Sequence, residues 1–290
     1  GGAREGWQVT AVYVVDDQGV LRGKLPLMKI LAADASVPAS EIMDEDLAEV
    51  SVDTDQEQVA HLMSRYDLLS VPVVDAGRRL VGIVTVDDLV DVIIEEGTED
   101  VQRLGAVTPL ENSYFETGFL TMVRKRALWL MVLFLAELLT GNTLHHFAAV
   151  LEGAIALVLF VPLITSSGGN SGSQSATLIT RALAVGEVRV RDFTRIVGRE
   201  LGMGLALGAI LGLLGLARAV LWHTGTEVAI VVALTLTGVV TIGTMVGALL
   251  PLGFKRVGLD PAITSSPFVA SVVDVAGILL YLLIAQAVLT

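Results

Sequence analysis

The sequence predicts an α/β head built from two copies of one unit, followed by an all-α membrane domain of five helices. Residues 1–105 carry 21 acidic and 8 basic side chains, whereas residues 106–290 carry 10 acidic and 11 basic ones. The whole chain is 53% hydrophobic and 17% charged, which is more apolar than an average soluble protein. We therefore expect an acidic soluble head before a nearly neutral, apolar membrane half.

Composition also excludes several classes of function. The chain has no cysteine, and its four histidines are scattered, so a thiolate or imidazole metal centre is not expected. Oxygen ligands remain, and these favour hard cations such as Mg²⁺ and Ca²⁺. An acidic head argues against nucleic acid as a partner. No nucleophile–base pair or metal-hydrolase motif is present, so the chain is not expected to be an enzyme.

An internal repeat organises the head. The segment VPVVDAGRRLVGIVTVDDLVDV at 71–92 predicts a strand, a turn around Gly77, a second strand and a helix that begins at Asp87. The segment at 12–31 has the same form, because the VVD at 14–16 lies 59 residues before the VVD at 73–75. The first copy has Pro26 where the second has Thr85, and it is expected to be incomplete at its start.

Five apolar stretches follow, at 127–147, 148–181, 200–222, 228–253 and 262–289. A membrane helix needs roughly 20 mainly apolar residues, and four of the five stretches supply them. The second stretch has a short apolar run at 153–165 and then enters SSGGNSGSQS at 166–175. Polar groups at membrane depth must be buried in protein or face water, so this helix is expected to border a pore.

Basic residues predict the orientation. With the head inside the cell, ten Lys and Arg residues lie on cytoplasmic flanks, and Arg218 alone lies near the outer face. The resulting expectation is a bacterial inner-membrane protein with a cytosolic N-terminal domain and an external C-terminus.

Seven acidic side chains are crowded into one predicted helix: Asp87, Asp88, Asp91, Glu95, Glu96, Glu99 and Asp100. No Lys or Arg offsets them before Arg103, and like charges at i and i+4 repel. A solvated acidic face would explain the pattern. The alternative is that divalent cations bridge this helix to another acidic surface, so that the head closes at high cation concentration.

Two acids lie within the apolar stretches. An ionised group at the bilayer centre costs about 3 kcal/mol or more, so Asp274 is expected to face water, a partner or an ion. In a homodimer, two copies of Asp274 would form a small ring of negative charge, as cation filters do. Glu137 is also intramembrane, and a structural role is favoured there.

These motifs resemble known families. The repeat, with GIVTVDD at 82–88, resembles a pair of CBS domains. The strings TSSGGNSGSQSATLITRALA at 165–184 and LDPAITSSPFVASVVDVAG at 259–277 resemble the MgtE family of magnesium channels and transporters. The family's acidic N-domain, which normally precedes the CBS pair, is not in this sequence. The resemblance implies a tandem CBS regulatory domain at 1–103, a connecting plug helix at 104–126 and a five-helix pore domain at 127–290.

The resemblance also implies site residues. The family forms a homodimer whose filter holds hydrated Mg²⁺ through positions that match Asp274 and the carbonyl of Ala270, and Asp260 occupies its Asp-Pro-Ala position. The implied pore-lining positions are Pro162, Gly169 and Asn170. The implied regulatory Mg²⁺ ligands are Asp88, Asp91, Glu96, Glu99, Asp100, Glu57 and Asp67. Ser173 and Ser266 stand where relatives carry Asn.

The leading hypothesis is a Mg²⁺-conducting homodimer in the lipid bilayer that cytosolic Mg²⁺ closes. The alternative is a transporter of another divalent cation regulated by adenine nucleotide such as ATP, because Thr85 and Asp88 resemble the ribose-contacting pattern of CBS modules. Selectivity among Mg²⁺, Co²⁺, Mn²⁺ and Ca²⁺, and the choice between channel and coupled transport, stay open at this stage.

Overall fold

The computed structural model describes residues 11–34 and 36–289. The chain divides into two compact units, Gly1–Thr98 and Glu99–Thr290. The elements of the first unit, in chain order, are β1 Ala11–Val15, β2 Leu21–Pro26, α1 Leu27–Ala32, α2 Ala39–Ile42, β3 Val50–Ser51, α3 Gln56–Arg65, β4 Ser70–Val74 and β5 Leu80–Thr85, followed by α4 Val86–Leu104, which ends in the second unit.

Both copies of the repeat form the predicted strand, turn, strand and helix. In the first, β1 pairs with β2 antiparallel, and in the second β4 pairs with β5 antiparallel and with β3 parallel. Asp16 and Asp75 lie at equivalent positions, and the carboxylate of each accepts two backbone N–H groups of the turn that follows it. This turn chemistry explains why the VVD string recurs.

The two turns pair with each other. Leu21 N donates to Arg78 O at 2.9 Å, and Leu80 N donates to Gly19 O at 3.0 Å. Adding 59 to the numbers of the first bond's donor and second bond's acceptor gives the other bond, so the hairpins are related by a local two-fold. The core of the second copy lies around Met63 and Val71, which are 1% and 0% exposed.

The second unit is helical. Its helices are α5 Phe119–His146, α6 Ala148–Gly153, α7 Val161–Ala184, α8 Phe193–Leu221, α9 Thr226–Arg256 and α10 Ser266–Leu289, with short 3-10 segments at Ile155–Phe160, Val190–Asp192 and Pro261–Ile263. Among the described residues, five helical segments are long and apolar enough to cross a membrane. They coincide with the five predicted stretches, although α5 begins eight residues earlier than expected.

The segment 104–126 differs from the predicted connecting helix. Helix α4 ends at Leu104, residues 105–118 are not helical, and α5 begins at Phe119. A Schellman motif ends α4: Ala106 has φ 57, its N–H donates to Arg103 O, and Val107 N donates to Gln102 O. Pro109 follows and cannot resume the helix.

Candidate functional site

Helix α7 is rich in Gly and Ser, which are poor helix formers in water. It forms a helix here because its small residues allow backbones to approach closely. A Cβ on Gly243 of α9 would lie 2.6 Å from the Gly168 carbonyl oxygen, and one on Gly247 would lie 2.1 Å from the Gly172 carbonyl oxygen. The interface between α7 and α9 therefore has no room for side chains at these positions.

The opposite face of α7 is polar and exposed. Pro162, Ser166, Asn170 and Gln174 follow at helical spacing, and all four are exposed in the single chain. Asn170 Nδ2 donates to Ser166 Oγ at 3.3 Å. A polar stripe on a membrane-spanning helix is expected to face water or another protein surface rather than lipid.

Asp274 lies on α10, which packs against α7. A Cβ on Gly169 would be 3.6 Å from Asp274 Oδ1 and 3.3 Å from the Ala270 Cβ, so these three residues are neighbours. Asp274 Oδ1 is buried and has no hydrogen-bond partner among the described residues. Buried polar atoms are nearly always paired, so this oxygen needs a ligand, water or ion.

Ala270 lies inside α10, where its carbonyl accepts the N–H of Asp274 in the helical pattern. A carbonyl oxygen has two lone pairs, so one remains for an outside donor or a hydrated cation. The structure thus brings together Asp274, Ala270 and Gly169 of the predicted pore residues. Asn170 and Pro162 lie on the exposed stripe of the same helix.

Glu200 is a buried acid that the sequence reasoning did not single out. It is 5% exposed on α8, and its Oε2 accepts a hydrogen bond from Ser175 Oγ of α7 at 2.7 Å. Thr244 Oγ1 of α9 donates to the Glu200 backbone carbonyl at 3.2 Å. These bonds join three helices. The signal was available, because an acid opens the apolar stretch at 200–222.

The acidic residues of α4 do not converge on one point. Among the described residues, no group of three His, Cys, Asp or Glu side chains is arranged to hold a metal ion. Asp88 Oδ2 accepts from Thr85 N at 2.9 Å and from Thr85 Oγ1 at 2.6 Å, which caps the start of α4. Glu96 accepts from Gln56 Nε2 at 2.7 Å.

Asp260 is held by its own loop and by an arginine. Its Oδ1 accepts from Ala262 N at 2.8 Å, and its Oδ2 pairs with Arg103. Arg103 also pairs with Glu99, one turn earlier on α4. A tethered cation thus bridges two of the predicted Mg²⁺ ligands, and the sequence gave no signal of a contact across such a separation.

Glu57 and Asp67 lie at opposite ends of α3. Glu57 is in the first turn, with its carboxylate 3.8 Å from His61 Nε2. Asp67 follows the helix with φ 51, a left-handed conformation that Asp tolerates. The structure does not bring these two acids together.

A cavity of about 180 Å³ lies in the head, and neither Thr85 nor Asp88 lines it. Tyr13 OH and Ser70 Oγ are hydrogen-bonded at 2.9 Å across the two copies of the repeat. Burial raises the pKa of Tyr13 above its ordinary value, so the phenol stays neutral. The lining residues are Tyr13, Lys24, Pro26, Asp44, Asp46, Leu47, Ala48, Leu68, Ser70 and Pro72.

Comparisons with known proteins match both units. A family model described as MgtE, divalent cation transporter, matches residues 161–284, and a CBS domain model matches residues 39–95. Magnesium transporter MgtE of Thermus thermophilus is 44% identical over 278 residues, which cover 96% of this chain and 62% of that protein. The Bacillus subtilis protein of that name is 31% identical, over 96% of this chain and 61% of the relative.

A third magnesium transporter MgtE, from Enterococcus faecalis, is 33% identical over 95% of this chain and 60% of its own length. The chain thus spans about three fifths of the length of these relatives. A solved cytosolic domain of the Mg²⁺ channel MgtE, in complex with ATP, is 49% identical over 29% of this chain and 34% of that chain, with a TM-score of 0.29.

These matches confirm the predicted fold class, a CBS pair followed by a five-helix membrane region. The relatives are named as transporters, in agreement with the prediction that the chain is not an enzyme. With matches over the membrane helices and the second repeat, and identity over nearly the whole sequence, the chain belongs to the MgtE family.

Proposed function

We propose that this chain is one subunit of a homodimeric Mg²⁺ channel or transporter of the bacterial inner membrane, with a pore lined by α7 and α10. The observation that carries the proposal is the buried, unpartnered Oδ1 of Asp274 beside Gly169. A carboxylate at this depth has no reason to stay unpaired unless a cation or its hydration shell approaches it.

The ligand chemistry fits a hydrated divalent cation. Mg²⁺ gives up its waters reluctantly, and carboxylate, carbonyl and hydroxyl oxygens can receive hydrogen bonds from those waters. Asp274, the free lone pair of Ala270 and the amide of Asn170 are oxygen groups of this kind on α7 and α10. Two copies of Asp274 around an axis form the charged ring that cation filters use.

The homodimer follows from the exposed polar stripe of α7. Ser166, Asn170 and Gln174 are exposed in the single chain, although they lie within a segment that is long and apolar enough to cross a membrane. Lipid cannot satisfy their polar groups. A second copy of the chain would cover this stripe and enclose water against it, with the head in the cytosol and the C-terminus outside.

Substitution of Asp274 tests the proposal. In proteoliposomes that contain the purified chain, Asp274→Asn is expected to lower Mg²⁺ flux at least tenfold, because the amide keeps an acceptor but loses the charge. Glu227→Gln is the matched control, since Glu227 is an exposed acid in the first turn of α9. Selective Mg²⁺ flux at the wild-type rate through Asp274→Asn, with the dimer intact, would remove Asp274 from the filter.

Cytosolic Mg²⁺ is proposed to regulate the pore through α4. The ions would bridge Asp88, Asp91, Glu96, Glu99 and Asp100 to other acidic surfaces, among them Asp260, Glu57 and Asp67. The support is the lack of any base in α4 before Arg103. The pair between Arg103 and Asp260 indicates that this loop carboxylate already favours a cationic partner.

A second ligand is proposed for the head, namely an adenine nucleotide. The supporting observation is the cavity beside Tyr13 and Lys24, where an aromatic ring and an ammonium group could receive a base and a phosphate. Titration of the full chain with ATP in EDTA, and separately with Mg²⁺, distinguishes the two ligands. Loss of ATP binding in Lys24→Ala, with Mg²⁺ closure unchanged, supports the nucleotide site. Unchanged ATP binding in this variant would exclude this cavity.

A further inference from the structure

Glu137 is an acid at membrane depth whose placement needs an explanation. It lies in α5, roughly 16 Å along the helix axis from Arg126 and roughly 12 Å from His145 at a rise of 1.5 Å per residue. Its side chain is exposed in the single chain. Since a charged group near the bilayer centre costs about 3 kcal/mol or more, an exposed Glu137 cannot simply face lipid.

Helix α5 packs on α10, the helix that carries Asp274. The charge of Glu137 acts on Asp274 across this contact. Like charges at such depth repel strongly in a dry medium, so the arrangement is stable only where water or a cation lies between or beside them. The sequence offers no basic residue in α5 after Arg126 to neutralise Glu137.

Thr140 adds a second observation on the same helix. It is 5% exposed, it is the buried residue of α5, which the structure describes in full, and its Oγ1 has no hydrogen-bond partner among the described residues. Thr140 follows Glu137 by one helical turn and so lies on the same side of α5. Two neighbouring helices therefore present unpaired oxygens, Asp274 Oδ1 and Thr140 Oγ1, and a carboxylate beside them.

We infer that Glu137 is a second carboxylate of the cation pathway, next to Asp274, and that it sets the preference for divalent over monovalent cations. The inference rests on the proposed function. Glu137 does not replace Asp274: it contributes a further negative charge to a water-filled space that the second copy of the chain completes. Since attraction scales with the charge of the ion, this charge favours Mg²⁺ over Na⁺ or K⁺.

The absence of cysteine gives a direct test of where Glu137 points. In Glu137→Cys, the thiol is expected to react with a water-soluble, negatively charged methanethiosulfonate reagent, and Mg²⁺ is expected to slow the reaction. The matched control is Leu135→Cys, an exposed residue of α5 about 200° around the helix from Glu137, which should be unreactive. Equal, Mg²⁺-independent lack of reaction at both sites places Glu137 in lipid and overturns the inference.

Ion flux gives the second test. Glu137→Gln is expected to lower the apparent affinity for Mg²⁺ and the flux ratio of Mg²⁺ to Na⁺ by about fivefold to tenfold, the effect of one water-screened charge near a divalent ion. Glu137→Asp should restore both, and in Glu137→Cys the charged adduct should restore them while a neutral adduct does not. Wild-type selectivity in Glu137→Gln overturns the inference and leaves the proposed function intact. A wild-type chain that conducts no divalent cation overturns the proposed function itself.

Discussion

Single hydrogen atoms in place of side chains decide how closely α7 and α9 pack. Gly247→Ala places a methyl group 2.1 Å from a backbone oxygen of Gly172, which cannot move without moving α7. We expect a loss of stability of about 3 kcal/mol, the upper part of the overpacking range, together with loss of Mg²⁺ flux because α7 carries the polar stripe. Thermal unfolding in detergent and flux in proteoliposomes measure the two effects.

The control for this change lies on the same helix. A Cβ at Gly253 meets nothing within 4 Å, so Gly253→Ala should alter stability by less than about 1 kcal/mol. If both variants unfold at the wild-type temperature, the close approach of α7 and α9 is not a constraint on the fold.

Asp16 makes the first turn of the head sensitive to acid. The Val20 N–H bond, followed by the Arg22 guanidinium, lowers the pKa of Asp16 below its ordinary value. A lowered pKa in the folded state contributes stability that is present above the ordinary carboxyl pKa and is lost as pH falls through the folded value. A ¹³C titration of the Asp16 carboxyl should therefore have its midpoint below about 3.9, the value for unperturbed Asp.

Removal of the arginine separates the two causes. In Arg22→Gln the midpoint of Asp16 should rise, but it should stay below that of an unstructured Asp because the backbone bonds remain. A midpoint that does not move in Arg22→Gln would show that the ion pair with Arg22 has no influence on this carboxyl.

Helix α4 is the element on which the proposed gating depends. A bridging divalent ion makes directional contacts with two surfaces, which mere loss of repulsion cannot replace. Combined Asp91→Ala, Glu96→Ala and Asp100→Ala changes are therefore expected to raise the cytosolic Mg²⁺ concentration needed for half-closure at least threefold. Single-channel open probability against internal Mg²⁺ is the measurement, and protease protection of the head is an independent readout.

Acids of the head outside α4 supply the comparison. Glu41→Ala with Glu45→Ala removes two negative charges from the same unit and should leave the closing concentration unchanged. Closure of the triple variant at the wild-type Mg²⁺ concentration would make α4 a solvated acidic face and place the sensor elsewhere.

The whole molecule is expected to cross the membrane five times, with its ends on opposite sides. Single cysteines in a cysteine-free background can report this: Glu187→Cys, between α7 and α8, should be labelled from the cytosol, and Glu227→Cys, at the start of α9, from outside. Both positions are exposed. Labelling of the two sites from the same side would contradict the orientation that the basic residues predict.

The sequence predicted what local patterns control. The VVD repeat located β1 and β4, and apolar length located the five membrane segments, because burial of side chains and backbone pairing act over a few residues. The break in the second stretch, where α6 and a 3-10 segment precede α7, was not predicted. Neither were the Glu200–Ser175 bond or the Arg103–Asp260 pair, since these depend on helix packing between distant parts of the chain.

The pairing of the turns through Leu21 and Leu80 has a consequence for stoichiometry. The local two-fold produces two clefts that are equivalent in backbone, but Lys24 and Pro26 border one of them, whereas Ile83 and Thr85 occupy the corresponding positions of the other. A ligand that needs the ammonium group of Lys24 therefore has one place in each head and not two. A calorimetric titration with such a ligand would saturate at one equivalent per chain, so each dimer would carry two.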